Sequence, residues 1–257
     1  MCLLAVASRL LPGTPLLIGA NRDEFFDRPT TPFTVLDVGP PRTLGGRDEF
    51  SGGTWLAVNE HGVCAGLTNQ PLGEAKDLSR RSRGELPIAL ARLRSAPQAV
   101  DAFLSEFRPT DYNGSWLLVG DRDSLFFIDF TGLVPAEAVP LPPGIHVLEN
   151  RPLGGPSPKA DRVTASIGAL ADDTDPLDIL QRVLAGHDVV EGSGSPASAN
   201  CVHLEEYGTR SSCIVRLTDD EARPPQIWVA DGPPCVTSFI DVSDHWAVTH
   251  PVAEGRS

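Results

Sequence analysis

Short apolar runs separated by polar turns dominate both ends of the chain, and helical spacing appears in between. Residues 3–8 and 16–20 form two such runs around Pro12-Gly13-Thr14-Pro15, a hairpin signature. The following residues, 21–32, are polar, charged and punctuated by proline, and they read as a loop. A second hairpin pairs residues 55–59 with 63–68 around Glu60-His61-Gly62. Just before it, Gly45-Gly46 and Gly52-Gly53 mark close backbone approach or positive-φ turns. From Ser79 the period changes. Leu86, Ile88, Leu90 and Leu93 fit a helical face, and a second helix covers residues 98–107, with Pro97 at its first turn. Strands return at 116–119 and 125–130, joined by Asp121-Arg122-Asp123, and again at 145–148. Helices follow over 159–170 and 176–184, then a Gly/Ser/Pro-rich loop over 191–200. Strands at 212–217 and 226–230 close the pattern. The order predicts an α+β protein rather than a βαβ repeat, with residues 1–257 as one domain of stacked sheets flanked by helices.

Composition narrows the partners. The 257 residues carry 21 Lys+Arg against 34 Asp+Glu, a net charge of −13, so no nucleic-acid partner is expected. No apolar run approaches the ~18 residues of a membrane span, so no transmembrane segment is expected. The apolar stretch after Met1 has no basic residue before it and is cut by Arg9, which predicts a cytoplasmic rather than a secreted protein. Cys2, Cys64, Cys201, Cys213 and Cys235 are odd in number and contain no CxxC pair. The six histidines show no HxH, HExxH or CxxH spacing. Neither a disulfide framework nor a metal site is expected, and no cofactor is implied. The four tryptophans, Trp55, Trp116, Trp228 and Trp246, sit in strand-like runs as core or pocket wall, and Arg80-Arg81-Ser82-Arg83 reads as a solvated helix start.

Chemistry concentrates near the N-terminus. Removal of Met1 would leave Cys2 carrying both a thiol and a free α-amine, whose reference pKa of ~7.7–8.0 suits it to take the thiol proton and return it to a leaving amine. If the first hairpin forms, Asn21, Arg22, Asp23 and Glu24 emerge beside Cys2. A carboxylate there can bind the ammonium, and an arginine can stabilise a thiolate.

Met1-Cys2, Asn21-Arg22-Asp23-Glu24, Gly52-Gly53-Thr54-Trp55, Leu67-Thr68-Asn69, Tyr112-Asn113-Gly114 and Tyr207-Gly208-Thr209-Arg210-Ser211-Ser212 occur in one order along the chain. Together they resemble the NRDE family, which includes the transport and Golgi organisation proteins. The resemblance implies the N-terminal nucleophile (Ntn) hydrolase fold, a four-layer αββα sandwich. A more distant resemblance, to choloylglycine and penicillin-V amidases, implies roles. Cys2 matches the nucleophile, Asp23 the aspartate that holds its α-amine, Asn69 and Asn150 the two asparagines, and Arg210 the late arginine near the nucleophile. Asn21, Arg22 and Glu24 are supporting residues. The amidases carry an arginine three residues before their aspartate, where this chain has Ala20. Strand alternation separates Arg22 from Asp23, so Arg22 is expected to brace the loop or a partner instead.

Two functions follow from the resemblance. One is a cysteine amidase acting on a linear amide of a small-molecule substrate. The other is a non-catalytic carrier of a hydrophobic ligand such as haem, with Cys2 or a histidine as axial ligand. Oligomeric state is left open.

Overall fold

The computed structural model describes residues 2–71, 76–169, 175–189 and 195–247, with Cys2 described by its backbone alone. Met1 and the side chain of Cys2 therefore lie outside the described residues, as do 191–194 of the predicted loop.

In chain order the strands and helices are β1 (Cys2–Leu11), β2 (Thr14–Phe25), β3 (Thr30–Asp37), β4 (Thr43–Asp48), β5 (Leu56–Asn59), β6 (Cys64–Asn69), α1 (Glu85–Leu90), α2 (Ala96–Glu106), β7 (Ser115–Gly120), β8 (Leu125–Phe130), β9 (Ala138–Pro140), β10 (Gly144–Leu148), α3 (Pro158–Gly168), α4 (Pro176–Leu184), β11 (Tyr207–Leu217), β12 (Gln226–Ala230) and β13 (Ile240–Asp241). They form two antiparallel sheets. The first has the order β10-β1-β2-β11-β12-β13 and the second the order β3-β4-β5-β6-β7-β8-β9.

Three apolar clusters stack the layers. Leu4, Val6, Leu16 and Ile18 of the first sheet pack against Leu44, Leu56, Trp116 and Leu118 of the second. On the other face of the first sheet, Leu3, Ala5, Ala7 and Leu17 meet Val163 and Ile167 of α3 and Leu180 and Leu184 of α4. On the far face of the second, Ala65, Leu117, Val119 and Ile128 meet Leu86, Leu90, Val100 and Phe103 of α1 and α2. The layers run α, β, β, α. Burial on both faces explains why β1 and β2 read as unbroken apolar runs rather than as alternation.

The longer helices begin as their sequences dictate. The side chains of Ser95, Ser157 and Asp175 accept from the backbone N–H of Gln98, Ala160 and Leu177, with proline in the first turn each time. Among the described residues, no helix is long and apolar enough to cross a membrane.

One expectation needs correction. Residues 21–32 are not a loop throughout, because β2 continues to Phe25 and β3 begins at Thr30. The strand survives its polar sequence because β11, which starts at Tyr207 rather than Ser212, pairs with it along that length. Gly45-Gly46 does not sit between elements but inside β4, where a Cβ on Gly46 would lie 2.1 Å from the Trp55 ring. Close approach was one of the two expectations for this pair; the positive φ expected as the alternative occurs at Gly52.

Candidate active site

The family motifs converge because each grips another. Alternation along β2 divides the Asn21-Arg22-Asp23-Glu24 stretch between two layers. Asn21 is buried against the helices: its Nδ2 donates to the carbonyls of Leu184 (2.9 Å) and Asn200 (2.8 Å), closing the end of α4. Ser212 Oγ lies between Ala20 O (3.1 Å) and Asn21 Oδ1. Asp23 is also buried. Thr209 Oγ1 donates to its Oδ1 at 2.6 Å, and Tyr207 Oη donates to its backbone carbonyl at 2.9 Å. Thr209 Oγ1 in turn accepts from Val202 N at 2.9 Å. Burial pushes the Asp23 carboxyl above its ordinary range, opposed by the positive charge of Lys159, the Thr209 hydrogen bond and Arg22. Lys159 is itself buried on α3, donating from Nζ to Ala199 O at 2.7 Å.

Arg22 points the other way, between the sheets. Its guanidinium lies 4.6 Å from the centre of the Trp55 ring and 3.7 Å from Glu24, which also approaches Arg28 at 3.6 Å. Arg28 is held by Asp48 (2.6 Å) and Ser51 (3.0 Å). These groups line a cleft of about 250 Å³ that also takes in Asn69, Lys76, Arg81 and Arg83. Among its described lining residues are five cations, Arg22, Arg28, Lys76, Arg81 and Arg83, against two anions, Glu24 and Asp48. Partial desolvation at the cleft wall, with repulsion from Arg83 and Arg28, holds the Lys76 ammonium below its ordinary pKa. A net-negative chain thus folds to make a positive cleft. Arg81 and Arg83, expected on a solvated helix start, are part of it. The Tyr112-Asn113-Gly114 motif fixes that wall: Arg80 donates to Tyr112 O at 2.6 Å, Arg83 to Gly114 O at 3.0 Å, and Asn113 Nδ2 to Asp77 O at 2.8 Å.

The remaining predicted residues divide. Cys2 opens β1, and its backbone pairs with Arg22 in the ladder. Asn69 and Asn150 are brought together: Asn150 Nδ2 donates to Asn69 O, and beside them Thr68 Oγ1 donates to Glu149 O at 2.8 Å. Arg210 is not in the cleft. The β2–β11 register pairs Thr209 with Asp23 and Ser211 with Arg22, leaving Arg210 as the extra residue of a bulge. Its Nη1 donates to the carbonyls of Phe25 (2.8 Å) and Phe26 (2.7 Å), and it lines a separate pocket of about 30 Å³ that shares Trp55 with the cleft. Ala20 and Arg22 lie on the same face of β2: Ala20 packs in the core between the sheets while Arg22 lines the cleft. Comparing Arg22 with Asp23 alone hides this, since residues two apart on a strand share a face.

The sequence reading missed Thr209, Tyr207 and Lys159 as individual residues. The motif at 207–212 held the signal for the first two. For a lysine at the start of a helix there was none.

This fold is that of the Ntn hydrolases. A conjugated bile acid hydrolase from Clostridium perfringens superposes with a TM-score of 0.56 at 13% identity, covering 95% of this chain and 93% of that one. Penicillin V acylase from Agrobacterium tumefaciens gives 0.53 at 14%, covering 95% and 86%. The Caenorhabditis elegans N-acylethanolamine-hydrolyzing acid amidase ortholog gives 0.53 at 13%, covering 87% and 98%. Within that fold class, residues 1–223 match the Transport and Golgi organisation 2 family, and the chain belongs to it. It is 27% identical over 235 residues to the Transport and Golgi organization protein 2 homolog of Bos taurus, covering 80% of this chain and 83% of that one. For the Homo sapiens homolog the identity is 28% over 244 residues, with the same coverage.

Proposed function

We propose that the protein is a cysteine amidohydrolase of the Ntn type, acting as one domain on a small amide that carries a carboxylate or phosphate. After loss of Met1, the α-amine of Cys2 takes the thiol proton, and the thiolate attacks the amide carbonyl. The α-ammonium then protonates the leaving amine, and water hydrolyses the thioester left on Cys2. Asp23 holds the ammonium. Asn69 and Asn150 supply amide donors to the oxyanion, where losing one donor costs about 2.7–4 kcal/mol of transition-state stabilisation. Arg22 with Lys76 and Arg83 receives the anionic end of the substrate. Arg210 acts as a positioning residue, holding the turn that follows Glu24.

One observation carries this reading: Cys2 pairs with Arg22, a lining residue of the cleft, and its ladder partner is the neighbour of buried Asp23. The names of the three structural neighbours, a hydrolase, an acylase and an amidase, support the bond type. The carrier alternative calls for an apolar slot, and the cleft wall is rich in charged groups.

The test begins with the intact mass of untagged protein, where Met1 should be absent. N-acyl amino acids and their neutral amide analogues are then compared as substrates. Hydrolysis of the anionic set, an acyl-enzyme trapped on Cys2 and loss of both in Cys2→Ala support the proposal. Quantitative retention of Met1 in protein that still functions in cells ends it. A Soret shift on adding haem, with no hydrolysis, turns the reading to carriage.

A further inference from the structure

Away from the cleft, three chain segments bring His187, Cys201, His203 and Cys235 together. One ligand atom from each can be chosen so that all lie within 4.8 Å of one another. His187 follows α4, Cys201 and His203 precede β11, and Cys235 lies after β12. The sulfurs of Cys201 and Cys235 are 3.7 Å apart, and His203 Nε2 lies 3.5 Å from the first and 3.3 Å from the second. A tetrahedral zinc ion, with Zn–S near 2.3 Å and Zn–N near 2.0–2.1 Å, requires ligand-to-ligand edges of about 3.3–3.8 Å. Those three separations match it.

The fourth ligand is already oriented. His187 Nδ1 is 3.2 Å from the backbone carbonyl of Cys201, which can only accept, so Nδ1 carries the proton and Nε2 bears the lone pair. That is the outer hydrogen bond usual for a metal-bound imidazole. The two rings lie 5.1 Å apart, centre to centre.

We infer that His187, Cys201, His203 and Cys235 form a tetrahedral zinc site that pins these three segments together. Binding releases the two thiol protons to solvent as two Zn–S bonds form, with no change of oxidation state. With four protein ligands and no open position the site is structural. Its reach is nonetheless functional, because Val202, between two of the ligands, donates to Thr209, which holds Asp23. The inference does not depend on the hydrolase reading.

Full-length protein without a histidine tag, purified under reducing conditions, is loaded with zinc, desalted and assayed by inductively coupled plasma mass spectrometry. One zinc per chain is expected, falling to background in the Cys201→Ser/Cys235→Ser double variant. Should that variant not fold, cobalt(II) added to metal-free wild type decides. Intense thiolate-to-cobalt charge transfer and strong tetrahedral d–d bands support the site, and their absence overturns it. Zinc retention unaffected by the double substitution in folded protein also overturns it, as does a Cys201–Cys235 disulfide mapped in freshly purified protein.

Discussion

Thr209→Val isolates the grip on Asp23. The two side chains have nearly the same shape, and Thr209 is wholly buried in a strand, so the change opens no cavity and keeps β-branching. Two hydrogen bonds go: the 2.6 Å donation to the Asp23 carboxylate and the 2.9 Å acceptance from Val202 N. A bond to a charged group contributes about 1.5–3 kcal/mol, and an orphaned buried N–H costs about 1–3 kcal/mol. The expected loss of stability is therefore about 3–5 kcal/mol wherever Asp23 is ionised. The loss depends on pH with a definite sign. Burial raises the Asp23 pKa above its ordinary 3.8, so the folded state keeps this proton to higher pH than the unfolded chain does. Between 3.8 and that raised value, Asp23 lowers stability as pH rises, and the Thr209 bond offsets part of the cost. Without the bond the pKa rises further, so the deficit of the variant shrinks as pH falls toward 3.8. Urea unfolding of both proteins, from pH 3.8 upward through the raised Asp23 pKa, reads it directly. A loss below about 1 kcal/mol above that pKa, or one that grows on acidification, would refute the reasoning.

Other outcomes follow from the same geometry. Gly53→Ala puts a Cβ 2.5 Å from the Gly84 backbone and should cost about 1–3 kcal/mol in calorimetry, whereas a neutral result would mean the two loops part freely. Burial pushes the Cys213 thiol up to about 12 and Cys64 higher still, so at pH 8 both should alkylate only after unfolding, as peptide mass spectrometry can follow. In a double-mutant cycle, Arg22→Ala and Trp55→Leu should couple by about 0.5–2 kcal/mol, and strict additivity would deny the stack. An anion entering the cleft relieves the repulsion on Lys76 and raises its pKa, so inorganic phosphate should bind with proton uptake at alkaline pH. Calorimetry in buffers of different ionisation enthalpy would detect it, and proton release would contradict the charge reading.

What could be read from the sequence was whatever rested on burial of apolar faces. Residues 3–8, 16–20 and 176–184 announce β1, β2 and α4 because leucine and isoleucine there contact a core. Strand β4 hid because Thr-Leu-Gly-Gly-Arg-Asp carries little β-propensity; its glycines are dictated by neighbours such as Trp55, which are distant in sequence. The polar half of β2 hid for a related reason. Asn21 and Asp23 look like turn residues unless one knows that the segment at 207–212 and the end of α4 satisfy them. Arg210 shows the limit of periodicity: a bulge shifts the count, so no reading of alternation finds where its side chain goes. The cleft cations were visible singly, but only the fold collects Arg22, Lys76 and Arg83.

That collection sets a speed as well as a preference. A chain of net charge −13 repels an approaching anion over roughly the Debye length, about 8 Å at physiological ionic strength. Inside the cleft, the excess of lining cations over anions acts in the opposite sense. Entry and retention therefore respond oppositely to salt. Added ions shorten the outer barrier and quicken capture, while they weaken the hold inside, and stopped-flow rates against ionic strength separate the two. The molecule would favour anions delivered at close range over those met by free diffusion.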